Sequence, residues 1–254
     1  MKFLAIIPAR YASSRFPGKP LADILGKPMI RRVYERAAAH FNACYVATDD
    51  DRIREAVEKF GGRVVMTSET LRSGTDRCAE ALDVIERQSG ERFDVVVNIQ
   101  GDEPFVSEEH LQKITACFSN TETRIATLIK PFGRDEDIFD PNTPKVAVSA
   151  QGFALYFSRS AIPYLRNEPQ ERWQQNHLYY KHIGLYAYRA DTLREITQLP
   201  AGELEKAESL EQLRWLENGY AIRVAETNAE NFAVDTPADL EKLVTQLRIT
   251  NHEL

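Results

Sequence analysis

Arg10, Arg15 and Lys19 stand close together in Arg10-Tyr11-Ala12-Ser13-Ser14-Arg15-Phe16-Pro17-Gly18-Lys19-Pro20. Pro8, Pro17, Gly18 and Pro20 restrain that stretch, so its three cations are held near one another. Confined like charges repel, and an anion bound among them would relieve the cost. A triphosphate is the obvious anion. Either Arg15 or Lys19 alone would read as a solvated surface charge. Together, after an apolar run, they point to a phosphate site. Asp102 is the matching carboxylate, in Gly101-Asp102-Glu103-Pro104 directly after Phe93–Gln100. Magnesium is usually held by one or two carboxylates plus substrate phosphates, and Asp102 suits that role better than that of a plain turn residue. Asp235, in Asp235-Thr236-Pro237, has a structural explanation as a helix cap followed by proline in the first turn. That explanation leaves it open to a cation as well. Asp49-Asp50-Asp51 also suggests a metal, but aspartates before a helix stabilise its free N–H groups and dipole, and capping is preferred. Ser73-Gly74-Thr75-Asp76-Arg77 opens another helix, where base or ribose recognition and N-capping are compatible.

The elements that position these residues follow from periodicity. Leu4 to Ile7 is apolar throughout and predicts a buried first strand, with the cationic loop at its C-terminal end. Further strands are predicted at 43–48, 64–66, 93–100 and 125–129. Between them, helical spacing links Met29, Ile30, Val33 and Ala37, then Ile53, Val57 and Phe60, then Cys78, Leu82 and Ile85. A fourth helix, capped by Ser107, carries Leu111, Ile114 and Phe118. Strands alternating with helices argue for α/β architecture, a doubly wound and mostly parallel sheet whose strand-end loops share one edge. After Pro131 the pattern changes. Runs at 145–148 and 153–157 flank Ala150-Gln151-Gly152 as a hairpin, and 181–188 is another strand. Residues 159–180 read as loop, so 131–190 is expected to be a β-rich insertion forming a second pocket wall and a dimer contact. One helix from Glu203 to Gly219, a strand at 221–225 and a closing helix with Leu240, Leu243, Val244 and Leu247 complete an expected single domain, 1–254.

The net charge of −6 argues against a general polyanion binder, since nucleic-acid proteins carry a basic stripe. Basic charge in the first loop is therefore local and suits a small phosphorylated ligand, with no nucleic-acid partner. With 43% hydrophobic and 28% charged residues, the chain has the balance of a soluble globular protein. Cys44, Cys78 and Cys117 are too few and too widely spaced for a disulfide framework or zinc site, and fit reduced thiols in a cytoplasmic protein. No apolar run approaches the ~18 residues that cross a bilayer, so no membrane insertion is expected. A strand at the very start predicts a chain without a signal peptide.

Several motifs, in order along nearly the whole chain, resemble the 3-deoxy-manno-octulosonate (Kdo) cytidylyltransferases, or CMP-Kdo synthetases. They are Ile6 through Pro20, Val46-Ala47-Thr48-Asp49, Ser73 through Arg77, and Asn98-Ile99-Gln100-Gly101-Asp102-Glu103-Pro104. The series continues with Ala154-Leu155-Tyr156-Phe157-Ser158-Arg159, His182-Ile183-Gly184-Leu185-Tyr186, Leu210-Glu211-Gln212-Leu213-Arg214 and Val234-Asp235-Thr236-Pro237. The first loop alone would indicate only a sugar nucleotidyltransferase; the series is more specific. The resemblance implies a nucleotidyltransferase fold with a mixed sheet, dependence on Mg²⁺ and a homodimer. It also implies conversion of CTP and Kdo to CMP-Kdo and pyrophosphate, for the lipopolysaccharide inner core. Carried over, it implies nucleotide contacts at Pro8 and Ala9, triphosphate binding by Arg10, Arg15 and Lys19, and Ser73, Thr75, Arg77 and Gln100 around the cytidine. Asp102 and Asp235 would hold magnesium. Arg159, His182, Tyr186, Glu211 and Gln212 would line the sugar site. The Asp49–Asp51 triplet and the polar segment 166–177 are assigned no role.

Residue chemistry agrees with that expectation. In-line attack of a sugar hydroxyl on an α-phosphorus relies on positioning and charge neutralisation, and needs no covalent intermediate. Lys19 and Arg15 would stabilise the leaving pyrophosphate. Arg159 offers a planar, two-pronged partner to a sugar carboxylate. Two alternatives are a synthetase for CMP-sialic acid or another sugar nucleotide, and, from a different class, a catalytically silent nucleotide-binding module. Lys19, Asp102 and Asp235, all present, argue against the silent module.

Overall fold

Leu4, Ala5, Ile6 and Ile7 are fully buried in strand β1 (Phe3–Ala9), as a strand covered on both faces requires. The computed structural model describes residues 1–12, 15–230 and 233–249; Ser13 and Ser14 of the first loop lie outside the described residues. After β1 come a short ribbon, β2 (Asp23–Ile24) with β3 (Lys27–Pro28), then α1 (Met29–His40), β4 (Cys44–Thr48) and α2 (Asp51–Lys59). Next are β5 (Val64–Met66), α3 (Gly74–Ser89), β6 (Val95–Asn98) and α4 (Glu108–Ala116). Strands β7 (Ile125–Pro131), β8 (Lys145–Val148) and β9 (Ala154–Ser158) follow, then α5 (Trp173–Asn176) and β10 (Tyr180–Arg189). The chain continues through α6 (Ala190–Ile196), α7 (Glu203–Glu208), α8 (Gln212–Glu217), β11 (Ile222–Glu226) and α9 (Pro237–Ile249). It is a mixed α/β fold with a mostly parallel sheet, the expected class.

The chain divides into two compact units, Met1–Leu111 with Glu230–Leu254, and Gln112–Ala229. The segment 131–190 lies inside the second, whose bounds are wider. In the first unit the strand order is β6-β1-β4-β5, every pair parallel. Ala9 pairs with Thr48 and Thr48 with Met66, so the C-terminal ends of β1, β4 and β5 lie level. The loops that follow leave from one edge, as βαβ connections dictate. Helix α9 closes this unit by packing Leu243, with Val234 just before the helix, against Ile24 and Met29.

In the second unit β11 runs parallel to β7, β10 antiparallel to β7 and β8, and β8 with β9 forms the expected hairpin. The ladder between β10 and β7 is irregular between Ile183 and Tyr186. The pairing sets His182 opposite Ile129 and Tyr186 opposite Thr127. Three local expectations are corrected. Residues 159–180 are not all loop: a 3₁₀ turn (Gln170–Arg172) runs into α5, because Trp173 is drawn into a cluster with Ile138 and Tyr179. The single helix expected from Glu203 to Gly219 is two, broken at Ser209, which adopts a left-handed conformation (φ 51°). Helix α6 falls where no helix was expected.

Candidate active site

The cationic loop is shaped by its own backbone. Gly18 N–H donates to the Tyr11 carbonyl (2.9 Å), closing the loop, and the left-handed Gly18 (φ 72°) turns the chain into the 3₁₀ turn Lys19–Leu21. A side chain at position 18 would also press on the Tyr11 ring, 3.1 Å away. The Arg52 guanidinium stacks on that ring, 3.3 Å from its centroid. At the end of β6, Ile99 N–H donates to the Ile6 carbonyl, and Gly101 passes so near β1 that a Cβ would lie 2.9 Å from the Pro8 carbonyl oxygen. Asp102 follows at once. Val234 N–H donates to the Asp102 carbonyl (2.9 Å), drawing the chain that leads into α9 beside it. Thr236 caps α9: its hydroxyl accepts from Asp239 N–H (3.2 Å), and the Asp239 carboxylate accepts from Thr236 N–H (2.9 Å). The cap is thus Thr236, and the Asp235 carboxylate is left to other partners.

Those partners are the loop cations. Lys19 Nζ donates to Asp102 Oδ2 at 2.6 Å and lies 3.6 Å from Asp235 Oδ1, while Arg15 Nη2 donates to Asp235 Oδ1 at 3.1 Å. One ammonium therefore stands between two carboxylates remote in sequence. A cavity of about 240 Å³ opens here, lined by Pro8, Ala9, Arg10, Arg15 and Lys19 from the first loop. Gln100, Asp102 and Asp235 line it from the β6 loop and the approach to α9. Ser73, Gly74 and Arg77 add the N-terminal turn of α3, whose dipole favours an anion.

Not every expected residue faces the cavity in the same way. Ser73 spends its hydroxyl on the helix, accepting from Asp76 N–H at 3.0 Å in a capping box. Thr75 is buried and is not among the lining residues. Arg77 is only 3% exposed; its Nη2 donates to Asp49 Oδ2 (2.8 Å) and its Nη1 to Thr67. Asp49, given no role from sequence, thus fixes a cavity-lining guanidinium. Its signal was its place directly after the last residue of β4. Leu71 and Arg72 also line the cavity and were missed. Asp50 is the N-cap of α2, accepting from Arg52 N–H (3.0 Å), and the Arg52 hydrogen bond holds its carboxyl below the usual range.

Two carboxylates with a cation already between them form the donor set magnesium takes when phosphate oxygens supply the rest of its shell, so the residues fit that ion. No group of three or more His, Cys, Asp or Glu able to hold a metal alone occurs among the described residues.

In the second unit, His182 lies between the Phe157 and Tyr186 rings, each centroid 5.2 Å away, with Nε2 3.0 Å from the Thr127 hydroxyl. Burial lowers its pKa to about 4, so the ring is neutral. Burial, reinforced by the Glu211 carboxylate, raises the Tyr186 pKa well above normal. Among the described residues Gln212 Nε2 is buried with no hydrogen-bond partner, and the buried Tyr186 hydroxyl has the Thr127 side chain beside it. The structure thus gathers His182, Tyr186 and Glu211, and opens α8 with Gln212. Arg159, at the end of β9, lies against the residues just before them, Glu208 and Ser209.

Comparison with known proteins adds an independent line. The sequence pattern of the cytidylyltransferase family matches residues 4–230. The 3-deoxy-manno-octulosonate cytidylyltransferase of Parabacteroides distasonis is 59% identical over 97% of this chain and 98% of its own length. The protein of the same name from Bacteroides thetaiotaomicron is 58% identical over 95% and 96%. A solved CMP:2-keto-3-deoxy-manno-octonic acid synthetase in complex with CTP superposes with a TM-score of 0.86 at 43% identity, covering 98% of this chain and all of the other. A candidate glucose-1-phosphate thymidylyltransferase of Bacillus anthracis, 19% identical with a TM-score of 0.63 over 99% and 98%, shares the fold alone. Identity of this extent, on a fold that brings the loop cations and both aspartates together, leaves one assignment: the chain belongs to the 3-deoxy-manno-octulosonate cytidylyltransferase family.

Proposed function

We propose that this protein transfers CMP from CTP to Kdo, releasing pyrophosphate and giving CMP-Kdo for the lipopolysaccharide inner core. The observation that carries this reading is Lys19 standing between Asp102 and Asp235 in a cavity lined by Arg10, Arg15 and Gln100. Arg10, Arg15 and Lys19 bind the triphosphate, with Pro8, Ala9, Ser73, Thr75, Arg77 and Gln100 around the nucleoside. Asp102 and Asp235 would hold magnesium, which would neutralise phosphate charge and polarise the α-phosphate. Lys19 and Arg15, released from the carboxylates, then stabilise the departing pyrophosphate. Arg159 pairs with the sugar carboxylate, and His182, Tyr186, Glu211 and Gln212 orient its hydroxyls. Gln212 Nε2, buried there without a hydrogen-bond partner among the described residues, supports a polar ligand, because such an atom is costly to leave unbonded.

We place the reaction in the cytoplasm, supported by three free cysteines, of which Cys44 has its thiol pushed up to about 12 by burial. No helix among the described residues is long and apolar enough to cross a membrane. We also propose a homodimer formed through the second unit, supported by the exposed Leu155, Tyr164 and Leu178; light scattering of the purified protein checks it. The activity test is pyrophosphate release from CTP, Kdo and Mg²⁺. Release is expected with all three, and none with sialic acid or a hexose 1-phosphate in place of Kdo. Silence with Kdo, or turnover with a substitute, overturns the assignment.

A further inference from the structure

Lys145 is completely buried at the start of β8, an arrangement that withdraws an ammonium from water. An apolar side chain of similar length would avoid the desolvation cost, so the contacts Lys145 makes are the reason to look for a role. Its Nζ donates to two backbone carbonyls, those of Asp140 and Arg159, each at 2.7 Å. The charged groups facing it are Asp140, Asp137, Arg159 and Glu208, and burial lowers its pKa.

These bonds grip residue 159. Its carbonyl is held by Lys145, and its N–H donates to Glu208 Oε2 at 2.9 Å. The other Glu208 oxygen accepts from the Ser158 hydroxyl at 2.7 Å. The guanidinium is held as firmly: Nε donates to the Glu208 carbonyl (2.6 Å), Nη1 to the Pro141 carbonyl (2.8 Å) and Nη2 to the Ser209 carbonyl (3.3 Å). The left-handed turn at Ser209, an unfavourable conformation for a residue with a side chain, sets the last carbonyl in place. A guanidinium has five N–H donors. With these three in use, one remains on each terminal nitrogen, the number a carboxylate accepts in a bidentate pair. None of the three acceptors is a carboxylate, so the charge of Arg159 is not cancelled by them.

We propose that Lys145 and Glu208 are positioning residues for Arg159, holding its backbone and side chain so that its two remaining N–H groups meet the carboxylate of the ulosonate acceptor together. The proposal rests on Arg159 being the partner of that carboxylate. It separates the work of binding the acceptor, done by Arg159, from the work of aiming it, done by two residues that never touch the sugar.

The test is steady-state kinetics of pyrophosphate release, varying CTP and Kdo separately, for wild type, Arg159→Lys, Lys145→Met, Glu208→Gln and the Arg159→Lys/Glu208→Gln double variant. Thermal unfolding confirms that each is folded. Arg159→Lys is expected to raise the KM for Kdo by about tenfold or more, with the KM for CTP within about twofold. Glu208→Gln and Lys145→Met are expected to move the same constant by roughly five- to tenfold, again without the CTP constant. The double variant is expected to be little worse than Arg159→Lys, because an aiming residue has nothing left to aim. An unchanged Kdo KM in Arg159→Lys overturns the role of Arg159, and the proposal with it. If Arg159→Lys behaves as expected while Glu208→Gln shifts both KM values alike, shifts neither, or adds its full effect in the double variant, the positioning role is overturned and Arg159 keeps its own. Should Lys145→Met not fold, the Glu208 cycle decides the matter alone.

Discussion

Lys19 is the pivot at the scale of single residues, because its ammonium sits where a metal would meet Asp102 and Asp235. The ion pair and the proposed magnesium would therefore compete. Replacing Lys19 with Met is expected to tighten Mg²⁺ binding in the absence of nucleotide by several-fold, read by calorimetric titration, while weakening the response to CTP. Asp102→Asn removes a proposed metal ligand and leaves the backbone bond from Val234 in place. It is expected to lower kcat/KM by about 10²-fold or more with an unchanged thermal midpoint, checked by pyrophosphate release. Asp49→Asn loosens Arg77 without touching the loop cations, and should raise the KM for CTP by roughly tenfold with kcat retained. Lys19 and Asp102 were legible in the sequence because their neighbours at strand ends, prolines that fix the backbone and glycines that let it turn tightly, are typical of ligand loops. Asp49 was not. An aspartate between a strand and a helix looks the same whether it caps the helix or reaches across to a buried arginine.

Among the elements, β1 and β6 do most of the positioning. Their parallel pairing sends the cationic loop and the Asp102 loop out at the same edge, and Gly101 lets the second pass against Pro8. Gly101→Ala would put a methyl group 2.9 Å from a backbone oxygen that cannot swing aside. A loss of roughly 1–3 kcal/mol in urea unfolding is expected, with turnover falling further than stability because Asp102 is carried along. In the first unit the buried strands and the helices between them were readable from hydrophobic periodicity alone, whereas α5 and α6 of the second unit were not. The break between α7 and α8 was not, since a lone serine is a weak turn signal and the left-handed backbone of Ser209 is held by what surrounds it. Residues 203–219 have a helical pattern on both sides of the break.

For the molecule as a whole, His182 links pH to folding. Part of its surface stays accessible, but its Nε2 faces the Thr127 hydroxyl and its ring lies between two aromatics, so burial governs it. Its pKa of about 4 in the folded protein compares with about 6.5 for an exposed histidine. Between those values the unfolded chain takes up a proton that the folded chain refuses. The contribution is therefore complete above about pH 6.5 and is lost progressively as pH falls toward 4. The thermal midpoint is expected to decline over that window, and His182→Gln to flatten the decline, as followed by circular dichroism.

Taken by itself, the amino-acid sequence determined the alternation of strands and helices, the cationic loop, and the identity of the residues that carry charge. All of these depend on neighbours within a turn or two, so local periodicity and turn chemistry record them. Which charges meet was decided only in three dimensions. Asp235 pairs with Arg15 because Val234 is tied to Asp102 and Thr236 takes over the capping of α9. Arg159 is aimed because Lys145 could be buried only where two carbonyls received it. Such partnerships join residues far apart along the chain, and the free energy of desolvating a charge is settled by the packing that surrounds it, which no stretch of sequence contains.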